Sequence, residues 1–294
     1  MTEQLCLLTV HAHPDDESSK GAGSVARYHA EGVRTVLVTC TGGEMGDILN
    51  PAMDLPEVKE NIAEVRRGEL EKAAAIIGYD EVILLGYKDS GMAGTEANED
   101  PGCFAQAPPD EAVGRLVEII RRERPQVIVT YDEDHSGYPH PDHIRTHEIS
   151  VIAFEAASDP GRYPELGDPF QPLKLYYTLW SRKRIVEMHE KFLELGLESP
   201  FDDAWFERPW NEGKITTSVD LAGFEDVRID ALLAHKTQVD PNSKFWFGLP
   251  QEVLREIHPY DDYALAVTHV ETRDEEDDLF AGVRATAVSG AAAS

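Results

Sequence analysis

Short apolar, β-rich runs alternate with segments of helical period along most of this 294-residue chain. That alternation predicts an α/β fold: a Rossmann-like, mostly parallel sheet flanked by helices, with a smaller elaborated C-terminal region. Two further observations point the same way. The early strand candidates are continuously apolar, as strands covered on both faces are. The polar, chemistry-bearing residues cluster just after those strands, at the sheet edge where ligand sites form in α/β folds.

Residues 5–10, Leu-Cys-Leu-Leu-Thr-Val, read as the first strand, and residues 18–30 as a helix ended by Gly32. Residues 35–40 are a second strand, followed by the Gly-rich segment 41–51. That segment has neither a Gly-Lys-Ser/Thr ending nor a Gly-x-Gly-x-x-Gly pattern, so it reads as a turn rather than a phosphate loop. Residues 57–77 carry Ile62, Val65, Leu70 and Ala73 on one side and stop at Gly78, predicting a long amphipathic helix. Residues 82–85 are the third strand, with Lys88-Asp89-Ser90-Gly91 at its carboxyl end. Residues 92–110, rich in Gly, Pro and acidic side chains, read as a surface loop over the site.

A helix over 111–124, a strand over 126–131 and a helix over 144–157 continue the alternation. Beyond about residue 160 the pattern changes: strands at 174–180 and 214–221, helices at 182–196 and 225–238, and frequent aromatics. Core packing accounts for most of those aromatics, and a binding cleft is open to some of them. The expected organisation is a metal-binding core over 1–160, a C-terminal α/β portion over 161–284 completing the cleft (as subdomain or as part of the same domain), and a disordered tail over 285–294.

Asp and Glu number 55 against 27 Lys and Arg, a net charge of −28. That balance argues against nucleic-acid backbones and anionic membranes as partners and describes a heavily solvated acidic surface. No apolar run reaches the roughly 20 residues of a membrane span, and the N-terminus lacks a basic leader region, so a cytoplasmic location is expected. Cys6, Cys40 and Cys103 are scattered and odd in number, which reads as buried free thiols. The aromatic-rich second half suits covering the pocket or meeting a second copy of the chain, and the sequence leaves both open.

Two polar clusters follow two different strands. The first is Thr9-Val-His-Ala-His-Pro-Asp-Asp-Glu17; the second runs from Asp132 to His143 and holds His135, His140 and His143 with Asp132, Asp134 and Asp142. Histidine and carboxylate together suit zinc or another borderline divalent metal. Alone, the first cluster is equally a helix start capped by Asp16. The second, Tyr138-Pro-His-Pro-Asp-His143, places two imidazoles three residues apart in a proline-fixed turn, and two such loops on one sheet edge are poorly explained as core histidines.

His13-Pro-Asp-Asp-Glu17 with His140-Pro-Asp-His143 resembles the LmbE-like zinc-dependent N-deacetylases, which act on N-acyl glucosamine compounds. The runs 10–21, 41–44, 48–54, 137–145, 234–242 and 278–282 are more narrowly similar to the amidase branch that cleaves mycothiol S-conjugates, so the resemblance spans nearly the whole chain. It implies zinc held by His13, Asp16 and His143 with one position open, Fe(II) or another divalent ion being compatible with the same donors. It implies Asp15 as general base. His140 would protonate the leaving amine or stabilise the oxyanion, Tyr138 would donate to that oxyanion, and Asp142 would orient His140.

Substrate contacts implied by the resemblance are Arg66 and Asp89 for sugar and inositol hydroxyls, Lys20 for the cysteinyl or inositol part, Glu44 on the pocket wall and His235 reaching in from the C-terminal half. Each has a plainer reading beside it. Arg66 suits an exposed helix ion pair, Lys20 a solvated first-turn lysine, and His235 a structural hydrogen bond. His11 is expected to pack beneath the site.

The expected activity is hydrolysis of the amide in a small thiol–sugar conjugate, yielding a mercapturic acid and glucosaminyl-inositol. Two enzymatic alternatives stay open: an N-acetylglucosaminyl-inositol deacetylase, to which the run 89–94 is closer, and an amidase dedicated to a thiol adduct in natural-product biosynthesis. A non-catalytic conjugate-binding protein would be favoured by loss of His13, Asp15, Asp16 or His143, and all four are present.

Overall fold

The computed structural model describes residues 4–134 and 138–284. Seven strands form one sheet: β1 (Cys6–His11), β2 (Arg34–Thr41), β3 (Glu81–Tyr87), β4 (Val127–Tyr131), β5 (Lys174–Leu179), β6 (Thr217–Asp220) and β7 (Tyr260–Thr268). Their order across the sheet is β3-β2-β1-β4-β5-β7-β6. The first five are mutually parallel, and β7 lies antiparallel between β5 and β6.

The apolar runs are continuous because both sheet faces are covered. Alternate residues of β1 point opposite ways: Cys6, Leu8 and Val10 join Val36, Val38, Ile128 and the helices Pro109–Glu123 and Pro141–Ala156 on one face. Leu7 joins Val127, Val129 and Tyr176 on the other, together with Val219, Tyr263 and Phe280 from the C-terminal part. Each fully buried Val or Leu of this kind contributes roughly 1.5–3 kcal/mol. No helix among the described residues is long and apolar enough to cross a membrane. All three cysteines are buried and free.

Several boundaries differ from the sequence reading. The helix expected over 18–30 begins at Asp16 and is broken after Ser19, where Gly21 adopts φ 90° against the Tyr263 hydroxyl and a second helix, Ala22–Ala30, starts. The residue in the capping position is Asp15, not Asp16. The long helix starts at Ile62, with Asn61 separating it from the short turn Pro56–Glu60. Residues 92–110 hold two short helical turns, with Cys103 and Phe104 buried. Strand β7 escaped the sequence reading because its apolar period is hidden by two buried carboxylates. Asp261 accepts the Ser24 N–H at 3.1 Å and pairs with Arg228, while Asp262 pairs with His258 at 2.5 Å. The expected tail and His135 lie outside the described residues.

In this strand order the crossover direction reverses between β1 and β4, which opens a crevice beyond their carboxyl ends. Both histidine clusters follow those two strands. The fold therefore brings together loops more than a hundred residues apart.

Candidate metal centre and active site

The chain leaves β1 at His11 and turns sharply through His13-Pro14-Asp15 into the short helix Asp16–Ser19. Asp15 makes the turn at φ 115°, a conformation that costs an L-residue of order 1–3 kcal/mol and persists only where the surroundings fix it. Three contacts fix it. Its N–H donates to Glu17 Oε2 at 2.9 Å, and Arg66 Nη2 donates to Pro14 O at 2.6 Å and lies 3.4 Å from Asp15 Oδ2. Arg66 also donates to Gly43 O. Gly43 sits at φ 68°, where any side chain would collide with the Arg66 guanidinium, so the Gly-rich loop after β2 serves the approach of this arginine.

The second cluster reaches the same place from β4. His140 caps the helix Pro141–Ala156, its Nδ1 accepting the Asp142 N–H at 3.2 Å, and His143 lies one turn further in. With Nδ1 accepting, neutral His140 carries its proton on Nε2. His13, Asp16 and His143 offer ligand atoms all within 4.8 Å of one another. His13 Nδ1 lies 3.6 Å and His143 Nε2 3.4 Å from Asp16 Oδ2. The other nitrogen of His13, Nε2, faces Asp142 Oδ2 at 3.2 Å. That is the carboxylate–histidine arrangement that orients an imidazole toward a metal.

Electrostatics favour a cation here. Asp15, Asp16, Asp89 and Asp142 crowd one spot, and Lys20 Nζ lies 2.5 Å from Asp16 Oδ1. Burial alone would raise Asp16 and lower His13. For Asp16, Lys20 and the two histidines outweigh burial and hold its carboxyl well below the carboxylate range. For His13, the Asp142 and Asp16 hydrogen bonds win and raise it to about 10. Burial pushes His143 down to about 4 and also lowers His140, which faces His13. Burial raises the Asp15 carboxyl against the pull of Arg66.

A second grouping, His13 with Asp89, His140 and Asp142, also lies within reach of one ion. Its carboxylates are already engaged. Asp142 accepts Ser90 N–H at 2.9 Å and the Ser90 hydroxyl, and Asp89 accepts Gly91 N–H at 2.8 Å and Met45 N–H at 3.2 Å. Asp16 is hydrogen-bonded as well, so the two sets differ in access: His13, Asp16 and His143 all line the open cavity, whereas Asp142 does not.

That cavity, about 430 Å³, is walled by Asp15, Lys20, Arg66, Asp89, Tyr138 and His140 among others, and by the apolar Met45, Leu49 and Met92. Of the loop 92–110, Met92 alone reaches it. Tyr138 is half-exposed, and partial burial raises its phenol to about 12, so it stays a donor.

Three sequence expectations are corrected. Asp142 orients His13, not His140; only its backbone N–H meets His140. His235 is not a pocket residue: it is fully buried, bonded to Glu17 Oε1 at 2.6 Å, and so braces the carboxylate that holds the Asp15 turn. Glu44 stands behind the wall, accepting the Asp89 N–H at 3.2 Å. Arg66 is buried rather than an exposed helix residue, and both lines the cavity and ties its loops together. His11 packs beneath the site as expected, fully buried and tilted against Tyr131, with neither ring nitrogen hydrogen-bonded among the described residues.

Tyr131 itself was missed. Its hydroxyl donates to Asp16 Oδ2 at 2.8 Å and accepts the Ala12 N–H at 2.8 Å, and its ring stacks on His143 at 4.5 Å. A tyrosine ending an apolar strand is the one signal available: its hydroxyl must find a partner when buried.

The model of the family PIG-L: GlcNAc-PI de-N-acetylase matches residues 8–154. A Streptomyces coelicolor protein named mycothiol S-conjugate amidase is 50% identical over 97% of this chain and 99% of its own length. A Streptomyces avermitilis protein named 1D-myo-inositol 2-acetamido-2-deoxy-alpha-D-glucopyranoside deacetylase is 40% identical over 94% of this chain and 97% of its own. Among solved structures, N,N'-diacetylchitobiose deacetylase from Pyrococcus horikoshii superposes with a TM-score of 0.62 at 17% identity, covering 89% of this chain and 83% of that one, a likeness of fold.

Proposed function

The chain belongs to the PIG-L family of GlcNAc-PI de-N-acetylases, and from that membership we propose that it is an amide hydrolase acting on mycothiol S-conjugates. Water would cleave the bond between the glucosamine nitrogen and the cysteinyl carbonyl, releasing a mercapturic acid and glucosaminyl-inositol. The observation that carries this reading is Asp15, a strained, cavity-facing carboxylate beside the His13/Asp16/His143 donor set.

The donor set fits zinc, which lowers the pKa of water toward about 7 and polarises carbonyls. Fe(II) satisfies the same donors, so zinc is the proposal and a divalent metal the premise. Asp15 accepts the proton of the attacking water, its raised pKa making it a better base near neutral pH than an ordinary carboxylate. Arg66 and Glu17 hold its turn, so the base is in position before substrate arrives. As the carbonyl carbon becomes tetrahedral, His140 Nε2–H and the Tyr138 hydroxyl face the oxygen that gains charge. Asp15 then returns the proton it took from water to the departing nitrogen, so that the amine leaves neutral while His140, a neutral imidazole, keeps its Nε2–H on the oxygen. In the polar cavity, Asp89, Arg66 and Lys20 suit the hydroxyls of the glucosaminyl-inositol part.

A second reading, deacetylation of N-acetylglucosaminyl-inositol, is favoured by the relatives at about 40% identity that carry that name. Turnover of an S-conjugate of mycothiol and of N-acetylglucosaminyl-inositol by the same preparation separates the two. A kcat/KM higher for the acetylated sugar would overturn the amidase reading.

A further inference from the structure

A second cavity, about 590 Å³, opens beside the first and shares with it Ser19, Lys20, Tyr138, His143 and Trp246. Its walls differ in kind. Trp180, Trp205, Trp210 and Trp246 line it with Phe245, and these are all four tryptophans of the chain. Core packing, the ordinary reading of those aromatics, explains only their backs. Trp180, Trp205, Trp210 and Phe245 rest against a small core of Ile185, Met188, Phe192 and Phe201, while remaining partly exposed themselves.

The rings are fixed by one another. Trp180 stacks on Phe245 at 5.7 Å, Phe245 meets Trp246 edge-on at 4.7 Å, and the Arg208 guanidinium covers Trp205 at 3.6 Å. The charged groups at the far end are already engaged: Asp132 pairs with Lys214 at 3.2 Å, and Asn211 bridges Asp132 and Asp134. What remains for a ligand is a slot walled mostly by aromatic rings, with the Arg208 guanidinium laid on Trp205, that reaches the candidate metal ligand His143.

Resting on the amidase reading, we propose that this slot is the acyl-side subsite and takes a flat, aromatic S-substituent of the conjugate. The scissile amide lies where the cavities meet, with hydroxyls in the polar one and the cysteine thioether directed into the aromatic one. Deacetylation would place a single methyl group on that side. An aromatic thioether instead gains face and edge contacts with preorganised rings, and little ordering of the wall opposes it. The enzyme therefore selects aromatic over small alkyl S-conjugates.

The test uses the metal-loaded full-length protein with S-benzyl and S-methyl mycothiol, and N-acetyl-S-benzylcysteine as a catalysis-free probe. The wild type should favour benzyl over methyl in kcat/KM by roughly tenfold or more, and that ratio should fall toward one in Trp210→Leu and Trp205→Leu. Because every tryptophan lies on this wall, the probe should shift intrinsic emission saturably, and N-acetyl-S-methylcysteine should do so at least about tenfold more weakly. Hydrolysis without benzyl preference, or with a ratio unchanged in both variants, overturns the subsite and leaves the amidase reading standing. An emission shift from the benzyl probe, lost in both variants, together with no hydrolysis of either conjugate, supports the subsite and overturns the amidase reading.

Discussion

Replacing Tyr131 by Phe removes one oxygen and leaves the ring that stacks on His143. Two hydrogen bonds vanish, each 2.8 Å long. The Ala12 N–H, fully buried, is left without an acceptor, at a cost of about 1–3 kcal/mol. Asp16 Oδ2 keeps the His13 N–H at 3.0 Å and Oδ1 keeps Lys20, so its lost bond adds only about 1 kcal/mol. The sum is roughly 2–4 kcal/mol of stability. Asp16 also loses a fixed direction, and loss of such outer contacts typically costs about 10–100-fold in metal affinity. Urea unfolding of metal-stripped wild type and Tyr131→Phe reads the first quantity, and competitive titration with a chromogenic chelator reads the second. If the variant unfolds within about 0.5 kcal/mol of wild type and binds metal equally well, the hydroxyl bridge does not hold this site together.

Other outcomes follow from the same geometry. Asp15→Asn keeps a side chain that tolerates positive φ and should lower kcat by about 10²–10⁴ with metal content unchanged; full activity would remove Asp15 from proton transfer. Dialysis against a chelator should abolish turnover and lower Tm, with Zn²⁺ restoring both and Fe²⁺ compared in parallel under argon; activity surviving complete metal removal would refute the donor-set assignment. Asp278 accepts the hydroxyl of core Tyr28 and, within the C-terminal segment, the Phe280 N–H and Arg284, and although burial opposes them these contacts hold its carboxyl below the usual range. Its contribution is therefore present above the unfolded pKa of about 4 and lost as pH falls through the lower folded value. The stability gap between wild type and Asp278→Asn should be open at neutral pH and close in acid, and a pH-independent gap would contradict that role.

The parallel core was legible because covered strands must be apolar and their helices periodic, and the runs around Leu7, Val36 and Val129 obey both rules. Strand β7 was not, since Asp261 and Asp262 occupy positions a pattern reader expects to be apolar, and only Arg228, Ser24 and His258 make their burial tolerable. The ligand types were legible for a related reason. A dense His/Asp run directly after a buried strand has few structural uses, and two such runs on one sheet edge have fewer.

Assigning each residue its neighbour needed the fold. The resemblance set Asp142 to orient His140, two positions away, yet its carboxylate turns to His13 across 129 residues of chain. His235 had two readings, substrate contact and structural hydrogen bond, and the packing that buries it against Glu17 decides for the second. The aromatic residues from Trp180 to Trp246 carried no periodic signal of a cavity, because their common wall comes from three separate stretches, 178–180, 205–211 and 245–246. Local period and side-chain chemistry were enough for the class of fold and for the two loops dense in His and Asp, whereas His13, Asp16 and His143 were singled out as candidate donors by the resemblance. Tertiary structure decided which carboxylate braces which histidine, why Asp15 can hold its strained turn, and where an apolar slot adjoins the polar one. Those are contacts between distant segments, and they arise only when the crossovers pack around β1 and β4.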